Sequence, residues 1–377
     1  MRSPLGIYIH IPFCATRCGY CDFLTFSCGE SMYEPYTESL IREINSTSLY
    51  EYEINTIFIG GGTPTVLNPN QIGRILNSLK KFNISKNAEI TIEANPGTLN
   101  LEMIRTLKDF GVNRISMGLQ ATNHKILKRI NRSHTFGDFL TNYKNIKKYG
   151  INTNVDLMFS LPGFKNSKEA FKNWVETLQI VSALKPEHIS LYSLIIEEGT
   201  PFFTQYEKGL LIEAKEEDDR RMYHFAQSFL AKKGYIHYEI SNFAKKGYEC
   251  FHNKMYWKCG EYKGFGLGSH SYFEGKRFNN MKDLNGYINS ENISHENIID
   301  ISQKEQIEEF MFLGLRLLEG INVNEFEEKF KVNISEVYGR VISQNIENNL
   351  LQRKCDNISL TKKGLDISNK VMSDFLL

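Results

Sequence analysis

Apolar and polar positions follow two rhythms along the first two thirds of the chain. Short runs rich in β-branched and aromatic residues read as strands: GIYIHI, TIFIG, EITIEA, RISMGL, NTNVDLMF and HISLYSLI. Between them the period lengthens to that of a helix, for example over Glu34–Ile44, Gln71–Phe82, Leu101–Phe110, Lys168–Leu184 and Asp219–Lys233. This alternation, continued to about residue 245, predicts βα units around a parallel sheet. Six such strands make an α/β fold of the partial, TIM-like (β/α)6 barrel type, with one shared mouth. Beyond Lys282 helical patterns dominate, as in KEQIEEFMFLGLRLLEG, and a segment rich in Asn, Lys and Glu closes the chain. We therefore expect a barrel over 1–245, a connecting segment over 246–282 and a small, mainly α-helical domain over 283–377. The run LTKKGLDISNKVM gives that last domain a winged-helix-like character.

Polar or glycine-rich signatures follow each strand-like run at once. The first leads into Cys14, Cys18 and Cys21, the second into Gly60-Gly61-Gly62-Thr63-Pro64-Thr65, and the third into Glu93 and Asn95-Pro96-Gly97. The fourth ends at Ser116, Gly118 and Gln120, the fifth carries Asp156 before Leu161-Pro162-Gly163, and the sixth ends near Tyr192. Functional groups of α/β barrels collect at the carboxyl ends of the strands, so these residues belong to one mouth. The triple glycine is neither a P-loop nor a GxGxxG fingerprint. It is either a tight turn or a place where backbone N–H groups approach a ligand closely.

The cysteines are spaced C-x3-C-x2-C inside IHIPFCATRCGYCDF. Three thiolates on one loop hold three corners of a cubic iron–sulfur cluster and leave the fourth iron open to a small molecule. A zinc site closed by a fourth ligand, with His10 nearby, is the rival reading. The odd count of seven cysteines, in a long chain with no secretory signal expected, argues against a disulfide scaffold. Free thiols predict a reducing, cytoplasmic setting.

Composition narrows the function classes. The 45 Lys and Arg nearly cancel the 44 Asp and Glu, so no basic field draws the chain to nucleic acid. No apolar run approaches transmembrane length, and MRSPLG leads directly into a strand with no targeting peptide expected.

The cysteine loop resembles that of the radical SAM superfamily. The resemblance implies a [4Fe–4S] cluster on Cys14, Cys18 and Cys21, with S-adenosylmethionine (SAM) chelated to the open iron. It implies SAM contacts at Tyr8, Gly61 and Glu93, and contacts to SAM or to a second SAM-like site at Tyr20, Gly62, Thr63, Gln120, Arg132 and Asp156. TIEANPG, SMGLQ, DLMFSLPG, YEISNFA and GFGLGSHSYF are similar to the branch that holds oxygen-independent coproporphyrinogen III oxidases and haem chaperones. Ser160, where that branch often has Gly, and Phe164, where a polar residue is common, are departures.

Three features turn the resemblance towards the chaperones. Phe23 stands where the oxidases carry a further cysteine, only thirteen residues precede Cys14, and His252-Asn253-Lys254-Met255-Tyr256-Trp257 fits an HNxxYW signature of the chaperone type. His252 is then a candidate axial haem ligand, with Tyr256 and Trp257 as flat faces for the porphyrin and Lys254 and Lys258 for its propionates. The same motif also reads as a packed aromatic segment around a hydrogen-bonded core histidine. The resemblance implies a carrier that delivers haem to acceptor haemoproteins, respiratory and membrane-associated ones among them. Porphyrinogen decarboxylation is the alternative and RNA modification the third, with no recognisable RNA module to support it.

Overall fold

Each strand-like run becomes a strand because its two faces meet different surroundings. In the computed structural model, which describes residues 2–377, six parallel strands lie side by side in chain order. They are β1 (Ser3–Ile11), β2 (Tyr52–Gly61), β3 (Ile84–Ala94), β4 (Arg114–Gln120), β5 (Asn152–Phe159) and β6 (His188–Ser193). Ile7, Ile9 and Ile11, then Ile57 and Ile59, then Ile90 and Ile92 point outward and pack on helical residues such as Leu40, Ile72 and Ile104. Each such burial contributes about 1.5–3 kcal/mol relative to an exposed side chain. Side-chain caps start the intervening helices: Asn68 with Gln71 and Thr135 with Asp138 form capping boxes before Pro69–Ser78 and Phe136–Lys148.

The sheet runs past both edges of the six-strand set. Antiparallel β7 (Ile236–Glu239) and β8 (Asn242–Ala244) extend it beyond β6. At the other edge β9 (Tyr262–Phe265) joins β1 in parallel, and β10 (His270–Phe273), β11 (Lys276–Asn280) and β12 (His295–Asp300) follow antiparallel. The order is β12-β11-β10-β9-β1-β2-β3-β4-β5-β6-β8-β7. Residues 246–282, expected as a connection, thus build a helix and three strands of the main sheet, and β12 lies within the stretch expected to be helical. Strands of three to six residues carry too little alternation to stand out in sequence.

A second core runs from Ile307 to Phe375. The helices Gln303–Gly314, Val323–Phe330 and Ile334–Glu347 pack with a small sheet of β13 (Ile321–Asn322), β14 (Leu351–Lys354) and β15 (Asn357–Leu360). The β14–β15 hairpin is the wing of a winged-helix-like unit. This unit docks on the β7 edge: Ile240 N donates to Arg316 O at 3.1 Å and Leu318 N to Tyr238 O at 3.0 Å. Arg277 of β11 adds a two-pronged bond to Glu309 at 2.9 and 2.8 Å. Among the described residues no helix is long and apolar enough to cross a membrane.

Phe326 is fully buried against Phe310, Phe330 and Tyr338 in the second core. Phe326→Ala should cost about 3–5 kcal/mol, read as a lower urea midpoint for the C-terminal unit.

Candidate functional site

Strand alternation that sends isoleucines outward sends polar residues inward. The inward set includes Glu89, Thr91 and Glu93 of β3, Arg114, Ser116 and Gly118 of β4, Asn154 and Asp156 of β5, and His188 and Ser190 of β6. Their hydrogen bonds cross the strands. Ser116 Oγ and Asn154 Nδ2 donate to the Asp156 carboxylate at 3.0 and 2.7 Å. Ser190 Oγ and His188 Nδ1 both reach Asn154 Oδ1, at 3.1 and 2.7 Å. Burial still raises the Asp156 carboxyl above its usual range, against these bonds. Tyr192 keeps 41% of its surface open, so the lumen is accessible at this end.

The cysteine loop closes the top of β1. Cys14 N donates to Phe26 O at 3.0 Å and Phe26 N to Pro12 O at 2.7 Å, which folds the loop back on its own start. Gly19 N bonds Ile130 O, and Asn131 Nδ2 bonds Arg17 O at 2.6 Å, which ties the loop to the turn carrying Arg132. The glycine run of β2 lies flush against it: Gly62 N donates to Ile11 O at 2.8 Å and Thr63 N to Phe13 O at 2.7 Å. A Cβ on Gly62 would sit 2.4 Å from Phe13 O, so no other residue fits there without moving the loop. Cys14 Sγ lies 3.7 Å from Thr63 Oγ1. All three thiols are free and partly exposed. Burial, opposed by the Thr63 bond, pushes the Cys14 thiol up to about 11, so metal binding there must release a proton.

Charged groups ring the space beside the loop. Glu93 accepts from Gly61 N at 3.1 Å. Burial first, and the Asp156 charge second, push its carboxyl up to about 8. Arg132 Nη1 donates to Asn95 Oδ1 at 2.6 Å, and Asn95 Nδ2 donates to Thr63 Oγ1 at 2.8 Å. Two buried atoms at this end have no partner among the described residues, Arg132 Nε and Gln120 Oε1. Gln120 holds φ 66°, a left-handed backbone that turns its side chain at the end of β4. Tyr20 and Cys18 both lie close enough to Arg132 to raise its pKa. Tyr8 stacks on Phe58, and its hydroxyl meets His10 Nδ1 at 3.0 Å. The residues expected at one mouth, Tyr8, Tyr20, Gly61, Gly62, Thr63, Glu93, Gln120, Arg132 and Asp156, are brought to one end of the barrel with the cysteines.

These residues suit the groups that the resemblance implies. An ammonium could meet Glu93, and a carboxylate could take two parallel bonds from Arg132. Corner ligands of a cubic cluster each bind a different iron, unlike the ligands of a single zinc. Among the described residues no three ligand side chains converge on a single-ion site. His10, the candidate fourth zinc ligand, has Nδ1 on Tyr8 and Nε2 on Leu24 O at 2.9 Å.

The HNKMYW segment is packed rather than open. It forms the helix Phe251–Trp257, which sits under the lumen at the start of the strands. Glu89 of β3 accepts from Phe251 N at 3.0 Å and His252 N at 3.2 Å, a carboxylate cap at a helix N-terminus. His252 is 1% exposed, stacked on Phe58, with Nδ1 on Thr56 Oγ1 at 2.9 Å and Nε2 on the Tyr256 hydroxyl at 2.8 Å. Burial lowers its pKa to about 3. Both ring nitrogens are engaged in the protein alone, by Thr56 and by Tyr256. Trp257 turns the other way, under the Arg316 guanidinium at 4.3 Å, so it does not bracket a ligand together with Tyr256. Lys258 pairs with Glu319 at 3.4 Å.

Sequence reading passed over Glu89 and Arg114, and placed Asn95 at the mouth without a role. Glu89 and Glu93 lie four residues apart on one strand, so period 2 puts them on one face, which was a usable signal. Nothing local marks Arg114, whose neighbours Glu89, Cys250 and Asp156 come from other elements. Ser160 holds φ 59°, which explains why glycine suits that position, and its hydroxyl bonds Asp219 at 2.5 Å.

Comparison with known proteins adds a second line. Residues 8–175 match the Radical SAM superfamily, and residues 301–367 match the HemN C-terminal domain. A protein of Lactococcus lactis named "Heme chaperone HemW" is 40% identical over 100% of this chain and 98% of its own length. One of Bacillus subtilis with the same name is 35% identical over 98% of each. The solved coproporphyrinogen III oxidase HemN of Escherichia coli superposes with a TM-score of 0.85 at 21% identity, over 100% of this chain and 90% of that one.

Two outcomes test the site. His252→Ala empties a buried ring site and leaves the Thr56 and Tyr256 hydroxyls unpaired; it should cost about 3 kcal/mol or more in urea unfolding. The Glu93 carboxyl lies above its unfolded value of 4.5, so the native state keeps a proton that the unfolded chain has released. Stability should therefore fall as pH rises from 4.5 to about 8. Glu93→Gln should remove this slope, unfolding at higher urea than the parent at pH 8 and at nearly equal urea at pH 4.5.

Proposed function

The chain belongs to the radical SAM superfamily and, within it, to the HemW family, and from that premise we propose that it is a haem chaperone. It binds haem and hands it to acceptor haemoproteins, including membrane-associated respiratory ones. The observation that carries this reading is the end-to-end likeness to proteins named as haem chaperones, through the barrel and the C-terminal unit alike. The match to the oxidase is a match of fold, and at 21% identity no decarboxylation is drawn from it. A reducing cytoplasm suits the free thiols.

Superfamily membership implies a [4Fe–4S] cluster and SAM. In our reading Cys14, Cys18 and Cys21 hold the cluster. A cluster held there would supply an iron site open to SAM. The protein's own part is positioning. Glu93 would hydrogen-bond the amino group of SAM. Arg132, fixed by Asn95, takes the carboxylate. Gln120 Oε1 and Arg132 Nε gain partners that they lack without the ligand. Tyr8, Tyr20, Gly61, Gly62, Thr63 and Asp156 complete the pocket. The roofing loop limits water around these charges, which strengthens each interaction.

Anaerobically reconstituted protein should bind haem by absorption titration and pass it to an apo-haemoprotein. Stoichiometric decarboxylated product from coproporphyrinogen III, SAM and a reductant would overturn the chaperone reading. Cys18→Ala should lose the iron–sulfur chromophore, and a variant that keeps its full iron complement would refute the ligand set.

A further inference from the structure

His252 lies in a chain of hydrogen bonds whose direction the structure fixes. The Thr56 hydroxyl donates to Met255 Sδ at 3.8 Å. Its oxygen is then left to accept, and His252 Nδ1 lies 2.9 Å from it. Nδ1 therefore carries the ring proton, and the lone pair is on Nε2. Nε2 in turn accepts from the Tyr256 hydroxyl at 2.8 Å. The sulfur at the end of the chain is fixed in place, because a Cβ on Gly6 of β1 would sit 2.4 Å from it. We propose that Thr56 is a positioning residue for haem binding, which presents the Nε2 lone pair of His252 to the haem iron, and that the Tyr256 hydroxyl is the partner that the iron displaces. This rests on the haem-chaperone reading above.

An imidazole nitrogen is a usual axial haem ligand, and it binds as the neutral ring. A histidine that ligates a metal donates its other N–H to a fixed acceptor, which sets the tautomer and raises the basicity of the ligating nitrogen. Thr56 Oγ1 supplies that acceptor from β2, a strand of the barrel itself. Burial lowers the His252 pKa to about 3, so no proton competes for Nε2 near neutral pH. Phe58 stacks on the ring at 5.2 Å and holds its plane.

Tyr256 differs from the other groups around the ring in what it can do. It stands one helical turn after His252, so its hydroxyl meets the ring from the same helix. Its ring packs edge-on against Tyr262 at 4.6 Å, and part of its surface is exposed. A rotation of this one side chain uncovers Nε2 and takes the hydroxyl to water, which replaces the lost bond. His188 has the same arrangement, with Nδ1 on Asn154 and Nε2 on Tyr238, but Tyr238 is buried and has no such exit. His10 is bonded to Tyr8 within the pocket given to SAM. In the protein alone Tyr256 thus occupies the place of the iron and keeps the lone pair satisfied until haem arrives.

The test titrates full-length, reconstituted protein with haemin and follows absorption, low-temperature EPR and the midpoint potential of the haem iron. The parent should give an imidazole-ligated spectrum that His252→Ala loses and free imidazole restores. Thr56→Val keeps the shape of the side chain and removes the acceptor. It should weaken haemin binding about ten- to a hundredfold and raise the midpoint potential, because a less basic imidazole stabilises ferric iron less. Thr56→Ser should restore both. Tyr256→Phe keeps the ring and deletes the competing hydroxyl, so haemin should bind about three- to tenfold more tightly with the same ligand signature. An unchanged iron–sulfur chromophore reports that each variant is folded, and Tyr256→Phe, at a part-exposed position, carries the test if Thr56→Val does not fold. Parent-like affinity and potential in Thr56→Val, weaker binding in Tyr256→Phe, or an imidazole signature that survives His252→Ala would each sink this inference and leave the chaperone reading standing. A parent that binds no haemin would sink both.

Discussion

A partial barrel with a polar lumen has to be closed from below, and the closure made by Glu89, His252 and Thr56 is the constraint on which the rest of this structure depends. Six strands bury their outward isoleucines under helices, and the same alternation leaves carboxylates, an arginine and hydroxyls facing each other inside. An unpaired buried polar group costs roughly 1–3 kcal/mol, so pairing most of these groups keeps the lumen stable. The helix Phe251–Trp257 provides partners at the lower end. Its first amides cap on Glu89, and its histidine bridges Thr56 of β2 to Tyr256. In the protein alone the aromatic motif plugs the lower end of the lumen.

Closure at one end makes the other end available for chemistry. The cysteine loop is held almost wholly by backbone: Phe26 on Pro12, Gly19 on Ile130, and Gly62 and Thr63 on Ile11 and Phe13. Its thiols are thereby left free for ligation while the chain around them is fixed. Burial raises both the Glu93 and the Asp156 carboxyl above their usual range in the protein alone, and the Asp156 charge adds to the rise at Glu93. A cationic group beside these carboxyls would favour their ionised forms.

Much of this was legible in the order of residues. The six parallel strands, the helices between them and the collection of cysteines, glycines, Glu93, Gln120, Arg132 and Asp156 at one mouth follow from period and position. The flanking strands were not legible, because β7 to β11 are three to five residues long and are recruited by the open edges of the sheet. Nor were the partners of Arg114, which come from β3, β5 and the plug helix.

The sequence by itself determined the class of fold and the residues at the mouth, since alternation and spacing are local properties that any parallel βα arrangement must honour. Only the tertiary structure decided how each histidine is held. His252 and His270 are both polar residues near aromatics in the chain, and nothing local separates them. Packing does: one ring has Thr56, Phe58 and Tyr256 around it, while the other lies exposed at the start of β10. Which nitrogen of a ring keeps its lone pair depends on neighbours brought by folding.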